Sequence, residues 1–417
     1  MSGVERHDVL VIGAGHAGTQ LAIALRQKKF AGSVTLVSDE PHLPYERPPL
    51  SKEYLSGTRA YERMLLRPEA FWQQSGVSLR LASAVVAVNP AERSVTLASG
   101  EALHYGTLVW AAGGHPRTLT CAGARLPGVH TLRGRSDVDA LRQELPSVTR
   151  VAVIGGGYLG LEAAATLSKL GKQVTVVEAL DRVLARVTCA PLSRFLEAEH
   201  RAHGVDVRLD TKVECVEEIA GRAGGIRVET GEVIPADLVL VAIGISPSVA
   251  PLLDAGARGG NGVFVNEYGN TSLPGVYAIG DCATHLSGYA DHGPVRLESV
   301  QNASDMAMTV AKAIVGDPQP HRAIPWFWSN QYDLRLQMIG LSTDHDDRIF
   351  RGDVRNRSFS VIYRKAGRVI ALDCVNAPGD FIQGRELVTR GVRAEPHELA
   401  ETAIPLKSLV ARLVEIY

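Results

Sequence analysis

The sequence predicts an α/β fold, with two doubly wound, Rossmann-like units followed by a C-terminal α+β domain. Two glycine-rich loops each stand between an apolar, strand-like run and a helix-like run. Each loop is followed by a second apolar run that ends on an acidic residue. After about residue 321 the βαβ alternation gives way to closely spaced apolar runs, which are typical of an antiparallel sheet.

The two loops carry the G-x-G-x-x-G spacing. They are Gly13-Ala-Gly15-His16-Ala17-Gly18 and Gly155-Gly-Gly157-Tyr158-Leu159-Gly160. In such a loop the first glycine permits a tight turn, the second lets backbone amides approach a pyrophosphate, and the third lets helix pack on strand. Glycine is common here, at 41 of 417 residues, so the flanking strand and helix patterns carry the prediction. Two loops therefore predict two dinucleotide cofactors.

An acid closes the next strand in both units. Asp39 follows the apolar run 34–38, and Glu178 follows the run 174–177. A carboxylate at this strand end can accept hydrogen bonds from ribose hydroxyl groups. The alternative is that both loops are structural turns and both acids only cap strands.

The order of the loops predicts a discontinuous first unit, because the second loop begins before the first sheet has all its strands. A return to the first unit is indicated by the apolar run 276–279, which ends in Gly280 and Asp281. We expect a first domain from residues 1–116 and 247–321, a second from 117–246 and a third from 322–417. Within the second we expect a helix over 159–169 and a meander over 205–233.

The third domain is predicted to contain an antiparallel sheet and two helices. The expected strands are 334–340, 348–350, 358–363 and 368–375, and the expected helices are 380–389 and 406–416. The paired tryptophans at 326 and 328 are either core or an amphipathic cover for a flat cofactor.

Composition limits the possible functions. The net charge is −1 and 45% of residues are hydrophobic, so no basic excess favours nucleic acid or a membrane surface. No apolar run is long enough for a bilayer, and residues 1–7 lack a secretory apolar region, so we expect a cytoplasmic location. The five scattered cysteines favour reduced thiols and argue against a zinc site or redox disulfide; they are Cys121, Cys189, Cys215, Cys282 and Cys374. No metal site is expected.

Several further segments match one family over essentially the whole chain. They are Val11-Ile-Gly-Ala-Gly-His-Ala-Gly18, Leu43-Pro-Tyr-Glu-Arg47-Pro-Pro-Leu-Ser-Lys52, Val153-Ile-Gly-Gly-Gly-Tyr-Leu-Gly-Leu-Glu162, Ala278-Ile-Gly-Asp281-Cys-Ala, Arg296-Leu-Glu298-Ser-Val300-Gln-Asn and Trp326-Phe-Trp328-Ser. The chain resembles the FAD-dependent, NADH-linked ferredoxin reductases of bacterial oxygenase systems, within the glutathione-reductase-type flavoproteins.

The resemblance implies that the first unit binds FAD. It places the loop Gly13–Gly18, including His16 and Ala17, on the pyrophosphate, with Asp39 on the adenosine ribose. Further FAD contacts are implied at Arg47, Val85, Arg133, Gly280, Asp281 and Val300. The alternative for the two arginines is solvated surface.

A lysine–glutamate pair is also implied. In the family a lysine matching Lys52 lies beside flavin N5 and pairs with an acid matching Glu162. A cation at that position favours the reduced, anionic flavin by charge attraction. The alternative is a solvent-facing pair of helix residues.

The inserted unit is implied to bind NADH. Its contacts would be Gly155, Gly157, Tyr158, Leu159, Gly160, Glu162, Glu178, Arg186, Gly244 and Glu298. Because the Glu178 carboxylate accepts from a free 2′-hydroxyl and repels a 2′-phosphate, we expect NADH to be preferred over NADPH. Arg182 and Arg186 could instead turn toward a phosphate.

The chemistry follows from what residues 40–55 lack. They contain no cysteine, whereas disulfide reductases of this fold place a cysteine pair there. Electrons received from NADH as a hydride are therefore expected to leave singly to an acidic [2Fe-2S] ferredoxin, as in the family. The ferredoxin would supply a cytochrome P450 or other oxygenase. Trp328 is implied to cover the flavin near the exit surface, carrying electrons or only screening it.

Other functions stay open. The acceptor could be rubredoxin, a quinone, a radical or oxygen, or the chain could be a redox-sensing protein of the apoptosis-inducing-factor type. We expect a monomer or weak homodimer. Arg296, Arg335 and Lys407 are candidates for a basic docking face.

Overall fold

The computed structural model describes residues 6–291 and 293–411. Two compact units divide these residues. One contains residues 6–47, 61–115 and 246–325, and the other contains residues 48–60, 116–245 and 326–411. No helix in the described ranges has the length and apolar character needed to cross a membrane.

The first unit is organised by a seven-stranded sheet. Its first strand, Arg6–Ile12, pairs in parallel with Val34–Val37 on one side and with Ala102–Trp110 on the other. The strand Val276–Ala278 pairs in parallel with the last residues of Ala102–Trp110, which returns the chain to this sheet after the insertion. The central strands are buried apolar runs, as expected of a sheet covered on both faces.

The elements of the first unit are as follows. Its strands are Arg6–Ile12, Val34–Val37, Val77–Arg80, Val85–Asn89, Ser94–Leu97, Ala102–Trp110, Gly259–Gly260, Gly262–Phe264, Val276–Ala278 and Ala283–Thr284. Its α-helices are His16–Gln27, Glu69–Gln74, Ala250–Asp254 and Val300–Ile314, with 3₁₀ turns at Tyr61–Met64 and Gly280–Cys282. The strands Gly114–Pro116 and Ile245–Pro247 lie at the two chain crossings.

The second unit contains three sheets. A five-stranded parallel sheet has the order Asp206–Arg208, Gln173–Val177, Arg150–Ile154, Leu238–Val241, Val129–Thr131. A three-stranded antiparallel meander covers residues 213–235. The five-stranded sheet of residues 326–375 is antiparallel throughout.

The elements of the second unit complete the list. Its further strands are Val213–Ile219, Arg222–Val228, Val233–Pro235, Trp326–Gln331, Leu334–Gly340, Asp347–Asp353, Ser358–Lys365 and Arg368–Val375. Its α-helices are Arg135–Glu144, Tyr158–Lys169, Ala190–Ala202, Pro378–Arg390, Pro396–Ala400 and Leu406–Ala411, with 3₁₀ turns at Pro48–Ser51, Leu145–Ser147 and Val354–Asn356.

Most predicted elements are confirmed, with two corrections. The expected meander over 205–233 was wrong at its start, because Asp206–Arg208 pairs in parallel with Gln173–Val177 and belongs to the main sheet. The segment Trp326–Gln331 is a strand that the aromatic pattern did not reveal. The predicted helix 406–416 is observed as Leu406–Ala411, and its remaining residues lie outside the described ranges.

Candidate functional site

The first glycine loop leaves an open cradle in front of the helix His16–Gln27. A Cβ atom on Gly13, whose φ is +106°, would lie 2.3 Å from the Ala111 carbonyl oxygen. A Cβ atom on Gly18 would lie 1.9 Å from the Gly13 carbonyl oxygen. On Gly15 the nearest atom would be the Arg47 Nε, at 3.9 Å. The outer glycines are thus required by the protein's own packing, while the middle glycine leaves room for a ligand.

The amino end of that helix has no side-chain cap. Gly15 occupies the N-cap position, and no acidic residue lies in the first turn, which His16 and Ala17 begin. The helix Val300–Ile314 differs, because its Ser299 cap accepts a hydrogen bond from the Asn302 amide at 3.0 Å. Uncapped amides at a helix N-terminus, together with the helix dipole, favour an anionic group such as a pyrophosphate.

The acidic strand end of the first unit contains two carboxylates rather than one. Asp39 is exposed. Its neighbour Glu40 accepts hydrogen bonds from the Tyr45 hydroxyl at 2.6 Å and from Arg47 Nη2 at 2.5 Å. Burial opposes ionisation of Glu40, but the Arg47 charge and the Tyr45 hydroxyl outweigh it and lower its pKa. The spacing had not identified Glu40, because only tertiary structure shows which acid Arg47 contacts.

Gly280 and Asp281 lie in the 3₁₀ turn that follows the strand Val276–Ala278. Gly280 has φ +75°, and a Cβ atom there would lie 3.1 Å from the Cβ of Ala17, so this turn packs against the first loop's helix. The Arg296 guanidinium donates to the Asp281 carbonyl at 2.9 Å and pairs with Glu298 at 2.7 Å.

Arg296 was therefore wrongly predicted as a docking residue. Its side chain is only 9% exposed, because it folds back onto the Asp281 turn. Arg335 and Lys407, the other two docking candidates, are exposed.

Two predicted FAD contacts of the first unit lie at the start of an element. Val85 begins a strand and Val300 begins a helix, and both are partly exposed.

The second glycine loop repeats the steric pattern of the first. A Cβ atom on Gly155, whose φ is +109°, would lie 2.5 Å from the Ala242 carbonyl oxygen. On Gly160 it would lie 2.0 Å from the Gly155 carbonyl oxygen, whereas on Gly157 it would meet nothing within 4 Å. Gly157 is again an N-cap without a side-chain hydrogen bond. This second cradle also fits a pyrophosphate.

Glu178 is tied to the second loop itself. Its carboxylate accepts hydrogen bonds from the Gly156 amide at 2.6 Å and the Leu180 amide at 2.9 Å. Arg182 is committed to neighbouring groups, since it donates to the Thr188 carbonyl at 2.9 Å, the Ala185 carbonyl at 2.7 Å and Ser193 Oγ at 2.9 Å. Arg186 is exposed.

The predicted pair of Lys52 and Glu162 is present within the second unit. Lys52 Nζ lies 2.6 Å from Glu162 Oε2, and the two side chains are only 14% and 9% exposed. Ser51 Oγ donates to the same oxygen at 2.7 Å, and Ser329 Oγ donates to Oε1 at 2.8 Å. Three donors on this buried carboxylate fix its orientation. The alternative of a solvent-facing pair is excluded by this burial.

Ser51 and Ser329 were missed by sequence reasoning. They stand in motifs beside Lys52 and Trp328, yet no spacing in the sequence connects positions 51, 162 and 329. Only the packing of the 3₁₀ turn Pro48–Ser51 and the strand Trp326–Gln331 around the helix Tyr158–Lys169 reveals the cluster.

The remaining predicted residues of the second unit lie near loops or aromatic rings. The Tyr158 ring lies 4.8 Å from that of Phe327, and the Trp328 ring lies 5.4 Å from that of Trp326. Leu159 is 36% exposed at the amino end of its helix. Gly244, with φ +97°, is open on its Cβ side, and the Arg133 amide donates to Asp137 at 2.9 Å.

Neither cradle is accompanied by metal ligands or disulfides. All five cysteines are free thiols. Within the described part of the chain, no three His, Cys, Asp or Glu side chains group as metal ligands would.

Comparison with known proteins gives two family matches. Residues 7–307 match the model of the pyridine nucleotide-disulphide oxidoreductases, and residues 326–410 match that of the reductase C-terminal domain.

Individual relatives match over nearly the whole chain. The ferredoxin reductase subunit of 5,5'-dehydrodivanillate O-demethylase from Sphingobium sp. strain SYK-6 is 57% identical, over 97% of this chain and 98% of its own. The structure of the ferredoxin reductase for the CYP199A2 system of Rhodopseudomonas palustris has a TM-score of 0.93 at 39% identity, over 96% and 99% of the two chains. That of the covalent putidaredoxin reductase–putidaredoxin complex has a TM-score of 0.93 at 38% identity, over 97% and 98%.

Proposed function

Because the chain belongs to the pyridine nucleotide-disulphide oxidoreductase family and has its reductase C-terminal domain, we propose that it is an FAD-dependent NADH:ferredoxin reductase. The family uses FAD and NAD(P)H. The observation that carries the proposal is the presence of two complete glycine cradles, Gly13–Gly18 and Gly155–Gly160, which belong to two separate sheets of one chain. One chain is thereby equipped for a resident and an exchangeable dinucleotide.

The first cradle is proposed to hold FAD. Its loop amides would bind the pyrophosphate, and Asp39 or Glu40, at the end of the next strand, would accept hydrogen bonds from ribose hydroxyl groups. Further proposed FAD contacts in this unit are Arg47, Val85, Gly280, Asp281 and Val300. The family resemblance also implies FAD contacts at Lys52, Arg133 and Trp328. The FAD domain would comprise 1–116 and 247–321, the NADH domain 117–246 and the C-terminal domain 322–417.

The second cradle is proposed to hold NADH in preference to NADPH. The Glu178 carboxylate, held by two backbone amides, would accept from a free 2′-hydroxyl and repel a 2′-phosphate. Arg182 already donates to two carbonyl groups and to Ser193, which leaves Arg186 as the nearby arginine that could meet a phosphate. The specificity therefore rests on Glu178.

The bound flavin would supply the conversion of one two-electron hydride transfer into two one-electron steps. The chain's own residues position the reactants and exclude water, and no nucleophile is needed. Lys52 holds a fixed positive charge in a mostly buried pair with Glu162, and a cation so placed favours an anionic reduced group. Residues 40–55 contain no cysteine to receive electrons as a disulfide would.

The proposed acceptor is an acidic [2Fe-2S] ferredoxin that serves an oxygenase. The Sphingobium relative is the reductase subunit of an O-demethylase, and the Rhodopseudomonas relative serves a CYP system. Both kinds of terminal oxygenase are therefore candidates. Arg335 and Lys407 are exposed cations available to a docking face. We propose a cytoplasmic protein that is a monomer or weak homodimer.

The test compares acceptors under steady state. We expect purified protein with bound FAD to reduce a [2Fe-2S] ferredoxin from NADH with saturation, at a kcat/KM above that for a rubredoxin, a quinone or oxygen. A higher kcat/KM for rubredoxin or for a small molecule would assign the protein to that acceptor instead. Light scattering with and without NADH tests the redox-sensing alternative, which requires a change of oligomeric state.

A further inference from the structure

A continuous line of buried polar side chains leads away from Glu162, and the proposed reaction does not account for it. The line passes through Ser329, Gln331 and His200 and ends at Tyr332. Ser329 and His200 are fully buried, and Gln331 is 1% exposed. Burying polar side chains costs free energy unless they form hydrogen bonds, and a fully bonded network of this kind holds its side chains in one arrangement.

Each link in this line is a hydrogen bond of ordinary length. Ser329 Oγ lies 2.8 Å from Glu162 Oε1, and Gln331 Nε2 lies 3.2 Å from Ser329 Oγ. His200 Nε2 lies 2.9 Å from Gln331 Oε1, and the Tyr332 hydroxyl lies 3.1 Å from His200 Nδ1. Ser329 and Gln331 share one face of the strand Trp326–Gln331, while His200 lies on the helix Ala190–Ala202.

The direction of every bond is determined by the carboxylate. Ser329 has a single hydroxyl proton, which it donates to Glu162, so it must accept from the Gln331 amide. The Gln331 oxygen then faces His200 and must accept from Nε2–H. His200 Nδ1 is left as an acceptor for the Tyr332 hydroxyl. The line therefore needs a neutral His200 in the Nε2–H tautomer.

The surroundings of His200 and Tyr332 keep both side chains neutral. Burial lowers the pKa of His200 to about 4, and burial raises the pKa of Tyr332 to about 12. The Tyr332 and His203 rings are stacked, with their centroids 3.7 Å apart. The backbone carbonyl oxygen of Tyr332 accepts a hydrogen bond from Lys169 Nζ at 3.0 Å. The outer end of the line is thereby anchored.

We propose that Ser329, Gln331 and His200 are positioning residues that fix the Glu162 carboxylate and, through it, the Lys52 ammonium. Lys52 and Ser51 both bind Oε2, so the orientation of the carboxylate depends on the bond that Ser329 makes to Oε1. This inference rests on the proposed function, in which Lys52 and Glu162 meet the reactants. Small displacements of positioning groups reduce hydride transfer strongly even when binding is retained.

The kinetic test removes the donor nearest to Glu162. In anaerobic single-turnover reduction by NADH, Ser329→Ala is expected to lower the limiting rate about tenfold while the apparent Kd for NADH stays close to wild type. Ser329→Thr, which keeps the hydroxyl, is expected to restore the rate. His200→Phe should lower the rate by less, although His200 does not contact Glu162.

A matched control exists in the same unit. Thr188 Oγ1 donates to the buried Asp373 carboxylate at 2.6 Å, and neither residue bonds to Glu162. Thr188→Val removes another buried hydroxyl donor to a carboxylate and should leave the limiting rate unchanged. Equal rates for Ser329→Ala and Thr188→Val would overturn the proposal, because the Ser329 effect would then be only structural.

A second readout does not depend on turnover. Histidine ring ¹⁵N spectra of the wild-type protein, with the His200 signal assigned by its loss in His200→Phe, should show the neutral Nε2–H tautomer from pH 6 to 9. An Nδ1–H tautomer would reverse the line and overturn the proposal even if Ser329→Ala failed to fold. Neither experiment uses ferredoxin, so a wild type that fails to reduce ferredoxin refutes the proposed acceptor without deciding this test.

Discussion

The two glycine cradles agree in their steric design and differ in the charged groups around them. In both, the outer glycines are packed against carbonyl oxygens and the middle glycine is open. Around the first, Glu40 pairs with Arg47, and Asp39 is left exposed. Around the second, Glu178 bonds to the loop's own Gly156 amide.

The helices behind the loops differ as well. Two residues after the third glycine, the first helix has the neutral Gln20, whereas the second has Glu162 in a buried ion pair with Lys52. From the shared glycine pattern we propose that the backbone would bind a pyrophosphate in both cradles. Side chains then assign each cradle its nucleotide and its chemistry.

The largest expected effects come from the outer glycines. Gly18→Ala and Gly160→Ala should each destabilise the protein by about 3 kcal/mol, because the new methyl would lie within 2.0 Å of a carbonyl oxygen. Gly15→Ala and Gly157→Ala should fold normally and weaken FAD and NADH binding, respectively. Thermal unfolding combined with ligand titration checks both pairs. If the outer and middle variants had equal melting temperatures, the steric design would be wrong.

Breaking the ion pair of the second helix should have an effect of similar size. Lys52→Met leaves the buried Glu162 carboxylate without its cation, which typically costs about 3 kcal/mol of folding stability. Lys52→Met combined with Glu162→Leu should regain part of that stability, which denaturant unfolding measures. For comparison, Gln20→Leu on the first helix should change stability little. A double variant less stable than Lys52→Met alone would contradict the pair.

Neutralising Glu178 should reduce the discrimination between the two nicotinamide cofactors. Glu178→Gln is expected to narrow the NADH-to-NADPH ratio of kcat/KM about tenfold, which corresponds to about 1.4 kcal/mol. Asp39→Asn, at the equivalent strand end, is the matched control and should leave the ratio unchanged. An equal shift in both variants would mean that general surface charge sets the preference.

The smallest expected effect is the acid sensitivity of the first cradle. The pKa of Glu40 is lower in the folded protein than in the unfolded chain. The Glu40 carboxylate therefore stabilises the fold fully at pH values above its pKa in the unfolded chain. This stabilisation is lost as the pH falls through its pKa in the folded protein. For a partly buried pair we expect a loss of about 1 kcal/mol. The decrease in melting temperature from pH 7 to acid pH should be smaller in Glu40→Gln than in the wild type. An equal decrease in melting temperature in the two proteins would show that Glu40 does not stabilise this cradle.

The sequence was informative where function depends on the local backbone. Both loops, the strands before them and the acids after them could be read from spacing, because glycine geometry and strand periodicity are local properties. The strand Trp326–Gln331 was missed since its aromatic side chains mask the alternation that marks a strand.

Tertiary contacts set the limit of such predictions. Arg296 was expected on a docking face because charge alone says nothing of a fold-back onto the Asp281 carbonyl. Arg47 donates to Glu40 because the chain around Tyr45 brings the two side chains together, and sequence spacing does not show this contact. The pair of Lys52 and Glu162 came from family resemblance, and its supporting line to His200 joins segments far apart in the sequence.

The most direct test of the central claim is a double-mixing stopped-flow experiment under anaerobic conditions. The purified yellow protein is mixed first with NADH or NADPH and then with a [2Fe-2S] ferredoxin, while the flavin and iron–sulfur absorbances are followed. We predict fast bleaching by NADH, much slower bleaching by NADPH, and reoxidation of the flavin as the ferredoxin is reduced. Purified protein without bound FAD, or a bleached flavin that ferredoxin does not reoxidise, would contradict the proposed function.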